Sequence, residues 1–251
     1  MKTKKILALL ISGVFATTMA SQGAVIVTEK FSYSDGALAG NNGGTGDWSG
    51  AWAGDHSVSG GQISTATTAI ANRSFSTTFT GSSSDPLYFS ARFTKTGSDT
   101  EYALWVVLDD ANSGINNEGV KFGLNSAGFT VGLENGGGAD DQIFGTYTAG
   151  EQVQIIGKLE FNVDGVNERA QIWVNPTGEE TATIVSSQIT LDIGWTTPQF
   201  SFVRNWVGSD GDFLVDDIRV GSTWAAAVPE PSSTALLGLG GLALMLRRKR
   251  S

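Results

Sequence analysis

Val120-Lys121-Phe122-Gly123-Leu124 and Phe129-Thr130-Val131-Gly132-Leu133 stand on either side of Asn125-Ser126-Ala127-Gly128. In each run apolar residues alternate at a period of two, the spacing that turns one face of a strand to a core and the other away from it. The four residues between are turn formers, so the pair predicts two antiparallel strands joined by a hairpin. The pattern spreads outward in both directions. Leu87 to Phe93 alternates in the same way, whereas Tyr102 to Leu108 is more continuously apolar, as a strand covered on both faces would be. Val153 to Val163, Ala170 to Val174, Ile184 to Leu191, Phe200 to Trp206 and Phe213 to Val220 continue the series. Turn signals at Asp164-Gly165, Asn175-Pro176 and Asp210-Gly211 punctuate it. No window between residues 24 and 228 carries a capped apolar stripe at helical spacing. Roughly a dozen short strands without helices predict an all-β domain, two antiparallel sheets packed as a jelly-roll sandwich. Residues 225–228 read as a short linker after it.

The 33 glycines and 5 prolines in 251 residues suit many tight turns. The charge is unevenly spread. Lys2, Lys4 and Lys5 lie at one end, Arg247, Arg248, Lys249 and Arg250 at the other, and the nine basic residues left between them face 25 acidic ones, a net of −16. Such a surface repels phosphate backbones and excludes nucleic acid as a partner. There is no cysteine, which rules out disulfides, thiol catalysis, zinc ribbons and iron–sulfur clusters.

The ends carry addresses. Three lysines, the apolar run Ile6 to Phe15 and the small residues Ala16 to Gly23 have the three-part layout of a secretory signal peptide, assigned here to residues 1–23. At the other end, Ala235 to Leu246 is wholly apolar or glycine and is closed by the basic cluster. Pro231 to Leu246 is 16 residues, about 24 Å as a helix against a bilayer core of about 30 Å. That is a marginal span, further weakened by Gly238, Gly240 and Gly241. The basic cluster stays cytoplasmic by the positive-inside rule, which leaves residues 24–230 outside.

Val228-Pro229-Glu230-Pro231-Ser232-Ser233, the Gly/Leu-rich segment and the terminal arginines together resemble the PEP-CTERM sorting signal of Gram-negative bacteria. The resemblance implies processing by an exosortase, a membrane transpeptidase-like enzyme. Pro229, Glu230 and Pro231 would be the recognition motif, and Arg247, Arg248 and Arg250 the stop cluster. The span 24–224 is similar to the laminin-G-like, concanavalin A-like domains that carry such tails. Its opening Phe31-Ser32-Tyr33-Ser34-Asp35-Gly36-Ala37-Leu38, the Gly-rich stretch with Trp48, and Val215-Asp216-Asp217-Ile218-Arg219-Val220 carry that likeness. In related sugar-binding jelly rolls a Glu near the first strand and an Asp of the closing strand hold a structural calcium. Glu29 and Asp217 match those positions by order, and calcium takes hard oxygen ligands of this kind.

Catalytic signals are weak. His56 is the one histidine, read as a surface or loop residue near Asp55, and no Gly-x-Ser-x-Gly elbow accompanies it. The Glu-x-Asp-x-x-Glu strand signature of concanavalin-like glycoside hydrolases is absent. Asp109-Asp110, Asp140-Asp141, Glu179-Glu180 and Asp216-Asp217 are adjacent acids; on a strand one member of each pair could point inward, but most lie at strand ends or in turns, where solvation accounts for them. Among the seven tryptophans, Trp105 and Trp173 read as core and Trp224 as a seal at the end of the last strand. Trp48 and Trp52, in the stretch Gly43 to Gly54, are the candidate exposed pair for stacking against a pyranose ring.

The expectation is therefore a non-enzymatic exported sandwich, sorted to the cell envelope or exopolysaccharide matrix and briefly held by its tail in the inner membrane, with glycan as the candidate ligand. A glycan-degrading enzyme with an unrecognised acid pair and a purely structural surface protein are the alternatives.

Overall fold

A computed structural model describes residues 24–65, 69–78, 86–96, 103–110, 118–124, 128–135, 138–178, 182–186, 198–205 and 213–228. The signal-like residues 1–23 and the tail from Pro229 onward, with all six sorting residues, lie outside them. Among the described residues no helix is long and apolar enough to cross a membrane.

The strands, in chain order, are β1 (Val25–Glu29), β2 (Gly36–Ala37), β3 (Thr45–Gly46), β4 (Trp48–Gly54), β5 (Ser57–Ser59), β6 (Gln62–Thr65) and β7 (Ala69–Phe75). Next come β8 (Leu87–Lys95), β9 (Ala103–Asp110), β10 (Glu118–Leu124), β11 (Phe129–Asn135) and β12 (Gly138–Phe144). The series closes with β13 (Gln152–Glu160), β14 (Arg169–Val174), β15 (Ile184–Val185), β16 (Pro198–Asn205) and β17 (Phe213–Gly221), then a single helical turn α1 (Trp224–Ala227). The hairpin expected around Asn125 is the antiparallel pair β10–β11, in register from Glu118 opposite Asn135 to Leu124 opposite Phe129.

Two antiparallel sheets form the sandwich. One runs β15-β14-β13-β8-β17-β6-β5-β2, with β1 paired to β17 and β3; the other runs β12-β11-β10-β9-β16-β7-β4. Alternation decides what lies between them. Leu87, Phe89, Ala91 and Phe93 of β8 face inward, and Phe89 and Phe93 meet Phe122 of β10 with ring centroids 4.4 and 6.1 Å apart. Phe122 in turn meets Phe200 of β16 edge-on at 6.1 Å. Gly157 on β13 lies opposite Phe89, whose ring covers it.

β17 breaks the alternation, and the break has a visible cause. Its first half, Phe213 to Val215, pairs with β6; its second half pairs with β1. Where the partner changes, the register against β8 shifts between Asp216 and Arg219 and Asp217 takes a φ of 52°. This is a β-bulge. It leaves both Asp216, opposite the outward Arg92, and Asp217, bonded to Arg92 and Arg219, on the outer face. Neither member of this pair therefore points inward.

Two further expectations change. Residues 225–228 do not form a linker. Thr223 caps α1, Ala226 and Ala227 are buried, and the turn lies on the outer face of β8 and β17. Ser90 donates to the Ala227 carbonyl at 2.5 Å, and a Cβ on Gly221 would come within 2.5 Å of that of Ala226. Trp173 is buried, though not between the sheets: it lies on the outer face, with its ring centroid 5.0 Å from that of Trp224. Trp224, expected as a seal, does cover this patch and also meets Tyr88 edge-on. The Trp105 side chain lies outside the described ones.

A Cβ on Gly157 would sit 1.7 Å from Phe89 Cε2. Gly157→Ala should therefore cost about 2–3 kcal/mol by overpacking, read as a lowered midpoint in urea unfolding. An unchanged midpoint would show that the Phe89 ring moves aside freely.

Candidate functional site

Glu29 ends β1 opposite Ile218, a core residue of β17, so strand alternation turns its carboxylate inward. It is 1% exposed. A charge so buried has to be met by protein groups. Oε1 accepts the backbone N–H of Lys30 at 3.0 Å and of Phe31 at 2.9 Å. Oε2 accepts the Tyr33 hydroxyl at 2.6 Å, Trp52 Nε1 at 3.2 Å and Arg73 Nη1 at 3.0 Å. Arg73 comes from β7 of the opposite sheet, at an inward position between Ala71 and Phe75, so this ion pair crosses the sandwich.

The guanidinium is held on every side. Nε donates to the Gly50 carbonyl at 2.9 Å, Nη1 also to the Gly43 carbonyl at 2.7 Å, and Nη2 to Asn42 Oδ1 at 2.6 Å. Its carbon lies 4.7 Å from the centre of the Trp48 ring. The loop from Asn42 to Asp47 is thereby laid over the pair. Close approach there demands glycine: a Cβ on Gly44, whose φ is 79°, would fall 2.4 Å from the Thr28 carbonyl oxygen. The Gly43 N–H donates to the Tyr33 hydroxyl at 2.8 Å. Burial, then the hydrogen bond to Glu29 and its charge, push the Tyr33 phenol from 10.0 up to about 12, so it stays a neutral donor.

Beside this network a cleft of about 460 Å³ opens, lined by Thr28, Glu29, Lys30, Ser32, Tyr33, Gly43, Gly44, Thr45 and Arg219. Its walls offer hydroxyls, two cations and glycine backbone. The Thr28 and Thr45 hydroxyls share a hydrogen bond of 2.6 Å at the rim.

The expected glycan pair is placed differently from the expectation. Trp52 is 2% exposed, its indole N–H spent on Glu29, and Trp48 is half-buried, with its N–H donated to the Thr28 carbonyl at 2.9 Å. The two rings pack on each other at 5.6 Å and leave no pair of exposed faces for a sugar. His56 lies in the β4–β5 connection but is buried, 3% exposed.

The calcium reading meets the same obstacle at both proposed ligands. A carboxylate has about four lone-pair directions, and Glu29 already receives five donors, one of them a cation. Asp217 receives Arg92 Nη2 on one oxygen and Arg219 Nε on the other, each at 3.3 Å. A divalent ion here would lie against guanidinium groups, and the donor set does not suit it. Among the described residues no group of three or more His, Cys, Asp or Glu gathers to hold a metal. Asp216 is shifted otherwise: burial and then the charge of Asp217 raise its carboxyl above the usual range, against the pull of Arg92, Lys30 and the Asp217 N–H. Sequence reasoning missed Arg73 and Tyr33. The available signal was a charged residue at the inward position of an alternating run, Ala71-Asn72-Arg73-Ser74-Phe75.

Solved structures with a similar fold include lectins and lectin-like proteins. Lectin UEA-II complexed with galactose is 13% identical with a TM-score of 0.52, covering 80% of this chain and 99% of that one. Arcelin-5, a lectin-like defense protein from Phaseolus vulgaris, is 12% identical with a TM-score of 0.51, covering 81% and 99%. No curated protein matches the sequence. The domain is thus a legume-lectin-like, concanavalin A-like β-sandwich. Residues 227–250 match the family model of the PEP-CTERM protein-sorting motif, which implies exosortase-dependent export and sorting to the cell envelope.

Removing one partner of the buried pair strands the other. Arg73→Ala or Glu29→Ala should cost about 3–5 kcal/mol in denaturant unfolding, and the double variant Glu29→Met/Arg73→Met much less than the sum. Additive losses would mean that the charges do not couple. Tyr33 gives a pH signature. Its proton is held more tightly in the folded state, so its stabilisation is complete below pH 10.0 and is lost as pH rises through about 12. The stability gap between the native chain and Tyr33→Phe should stay constant below pH 10.0 and narrow towards pH 12; a gap independent of pH contradicts the assignment.

Proposed function

We propose that this chain is a non-enzymatic binding protein, delivered by its tail to the cell envelope or exopolysaccharide matrix, where the cleft beside Glu29 takes a saccharide. The observation that carries the reading is the sorting motif at residues 227–250, which follows directly on the last described element of the sandwich. Delivery of a single β-sandwich to a polysaccharide-rich layer makes glycan the first ligand class to consider. The fold shared with a lectin solved with galactose is consistent with that class.

The cleft's chemistry supports it. Hydroxyls of Thr28, Ser32 and Thr45, the ammonium of Lys30 and the guanidinium of Arg219 match the hydroxyl and carboxylate groups of sugars and uronic acids. The non-enzymatic reading rests on the acids. Both Glu29 oxygens are committed to protein donors, and Asp217 is shared by two arginines, so neither is placed as an acid or base towards the cleft. Before processing, the apolar tail holds the chain in the inner membrane, and an exosortase-type enzyme is its partner there.

A glycan-array screen of the full mature chain, with and without calcium, tests the ligand. Binding that falls about tenfold or more in Thr28→Val/Thr45→Val, at ~1 kcal/mol per lost hydrogen bond, is expected; silence in both conditions would sink the reading. Delivery is tested separately. Replacing Pro229, Glu230 and Pro231 by alanine should leave an unprocessed precursor in the membrane fraction, and normal processing would refute the sorting role.

A further inference from the structure

The basic residues of the domain are not spread over its surface. Of the nine between the termini, Arg73, Lys95 and Lys121 are buried, and the Arg204 side chain lies outside the described ones. The other five, Lys30, Arg92, Lys158, Arg169 and Arg219, all belong to the outer face of the β1-β17-β8-β13-β14 layer. Strand register places them together. Arg92 lies opposite Asp216, Arg219 opposite both Thr28 and Ser90, Lys158 opposite Tyr88, and Arg169 opposite Glu160. Lys30 lines the same cleft as Arg219.

The carboxylates set among them are Glu160, Asp216 and Asp217, three against five cations, and two of them are each shared by a pair of cations. Arg92 and Arg219 both meet Asp217, while Lys158 and Arg169 both meet Glu160 at 2.8 and 2.6 Å. The face is therefore net positive in a region whose total is −16.

The tail leaves from this face. α1 is docked on it, and Arg219 Nη1 donates at 3.4 Å to the carbonyl of Val228, the described residue next to Pro229-Glu230-Pro231. Only six residues, Pro229 to Thr234, separate Val228 from the apolar run that starts at Ala235. Fully extended they reach about 20 Å, so the face cannot lie far outside the headgroup layer while the tail is in the bilayer.

We propose that the outer face of the β1-β17-β8-β13-β14 layer is a docking surface for anionic phospholipid headgroups, turned to the membrane while the tail holds the precursor there. Five cations on a short tether complement a negatively charged leaflet, and the acidic remainder is repelled from it. The arrangement rests on the membrane-held precursor described above. It also turns the cleft beside Lys30 and Arg219 towards lipid until processing frees the domain.

The lack of cysteine allows a direct test. Single-cysteine variants of the full chain, Gln152→Cys on the outer face of β13 and Ile143→Cys on the exposed edge strand β12 of the other sheet, are labelled with a fluorophore. They are reconstituted in phosphatidylcholine vesicles with or without phosphatidylglycerol and quenched by a headgroup spin-labelled lipid. With phosphatidylglycerol the Gln152→Cys label should be quenched about threefold more than the Ile143→Cys label, and the difference should vanish in phosphatidylcholine alone or in high salt. Equal quenching at both sites, or stronger quenching at Ile143→Cys, overturns the proposal. A difference that persists without anionic lipid also overturns it, because the tether alone would then set the orientation. If the chain fails to float with vesicles at all, the membrane-held precursor falls and the proposal with it.

Discussion

One buried ion pair holds the site and joins the two layers. Glu29 at the end of the first strand and Arg73 on the opposite sheet meet at 3.0 Å inside a sandwich filled mainly by apolar side chains. Removing either partner would leave the other a buried charge without its counter-ion. Each recruits what surrounds it: Glu29 takes Tyr33, Trp52 and two backbone N–H groups, while Arg73 takes Asn42 and the carbonyls of Gly43 and Gly50. The glycine-rich loop is thus shaped by the needs of the pair, and the cleft beside it is the space this loop leaves.

Strand periodicity made the architecture legible. The β10–β11 hairpin and the inward set of β8 follow from alternation, because a sheet with one face in a core repeats every second residue. What alternation does not contain is a change of partner along a strand. The bulge at Asp216 and Asp217 arises because β6 and β1 share one edge of β17, a tertiary fact that reverses the expected direction of one carboxylate. The four residues before the tail were equally opaque. The segment from Trp224 to Ala227 is too short to show a stripe, and its burial depends on Gly221 close by and on Ser90, 137 residues earlier in the chain.

The site was legible in part. Glu29 and Asp217 stand out by position, and the structure sets their strands β1 and β17 side by side. Their partners were not legible, since nothing local to Arg73 says that it will point at Glu29 across the sandwich. The tryptophans failed for a related reason. Trp48 and Trp52 lie in a polar, glycine-rich stretch that looks exposed, yet the buried pair draws Trp52 inward as a donor and covers Trp48 with Arg73. Exposed-looking composition yields to an unsatisfied charge nearby.

In this account Arg73 supplies, as a side chain, the positive charge that an ion would otherwise bring to Glu29. Thermal unfolding of the mature chain in excess calcium and in chelator tests that most directly. The same midpoint in both is the predicted result. A calcium-dependent rise of about 5 °C or more, as expected for an ion bound well above its dissociation constant, would contradict it.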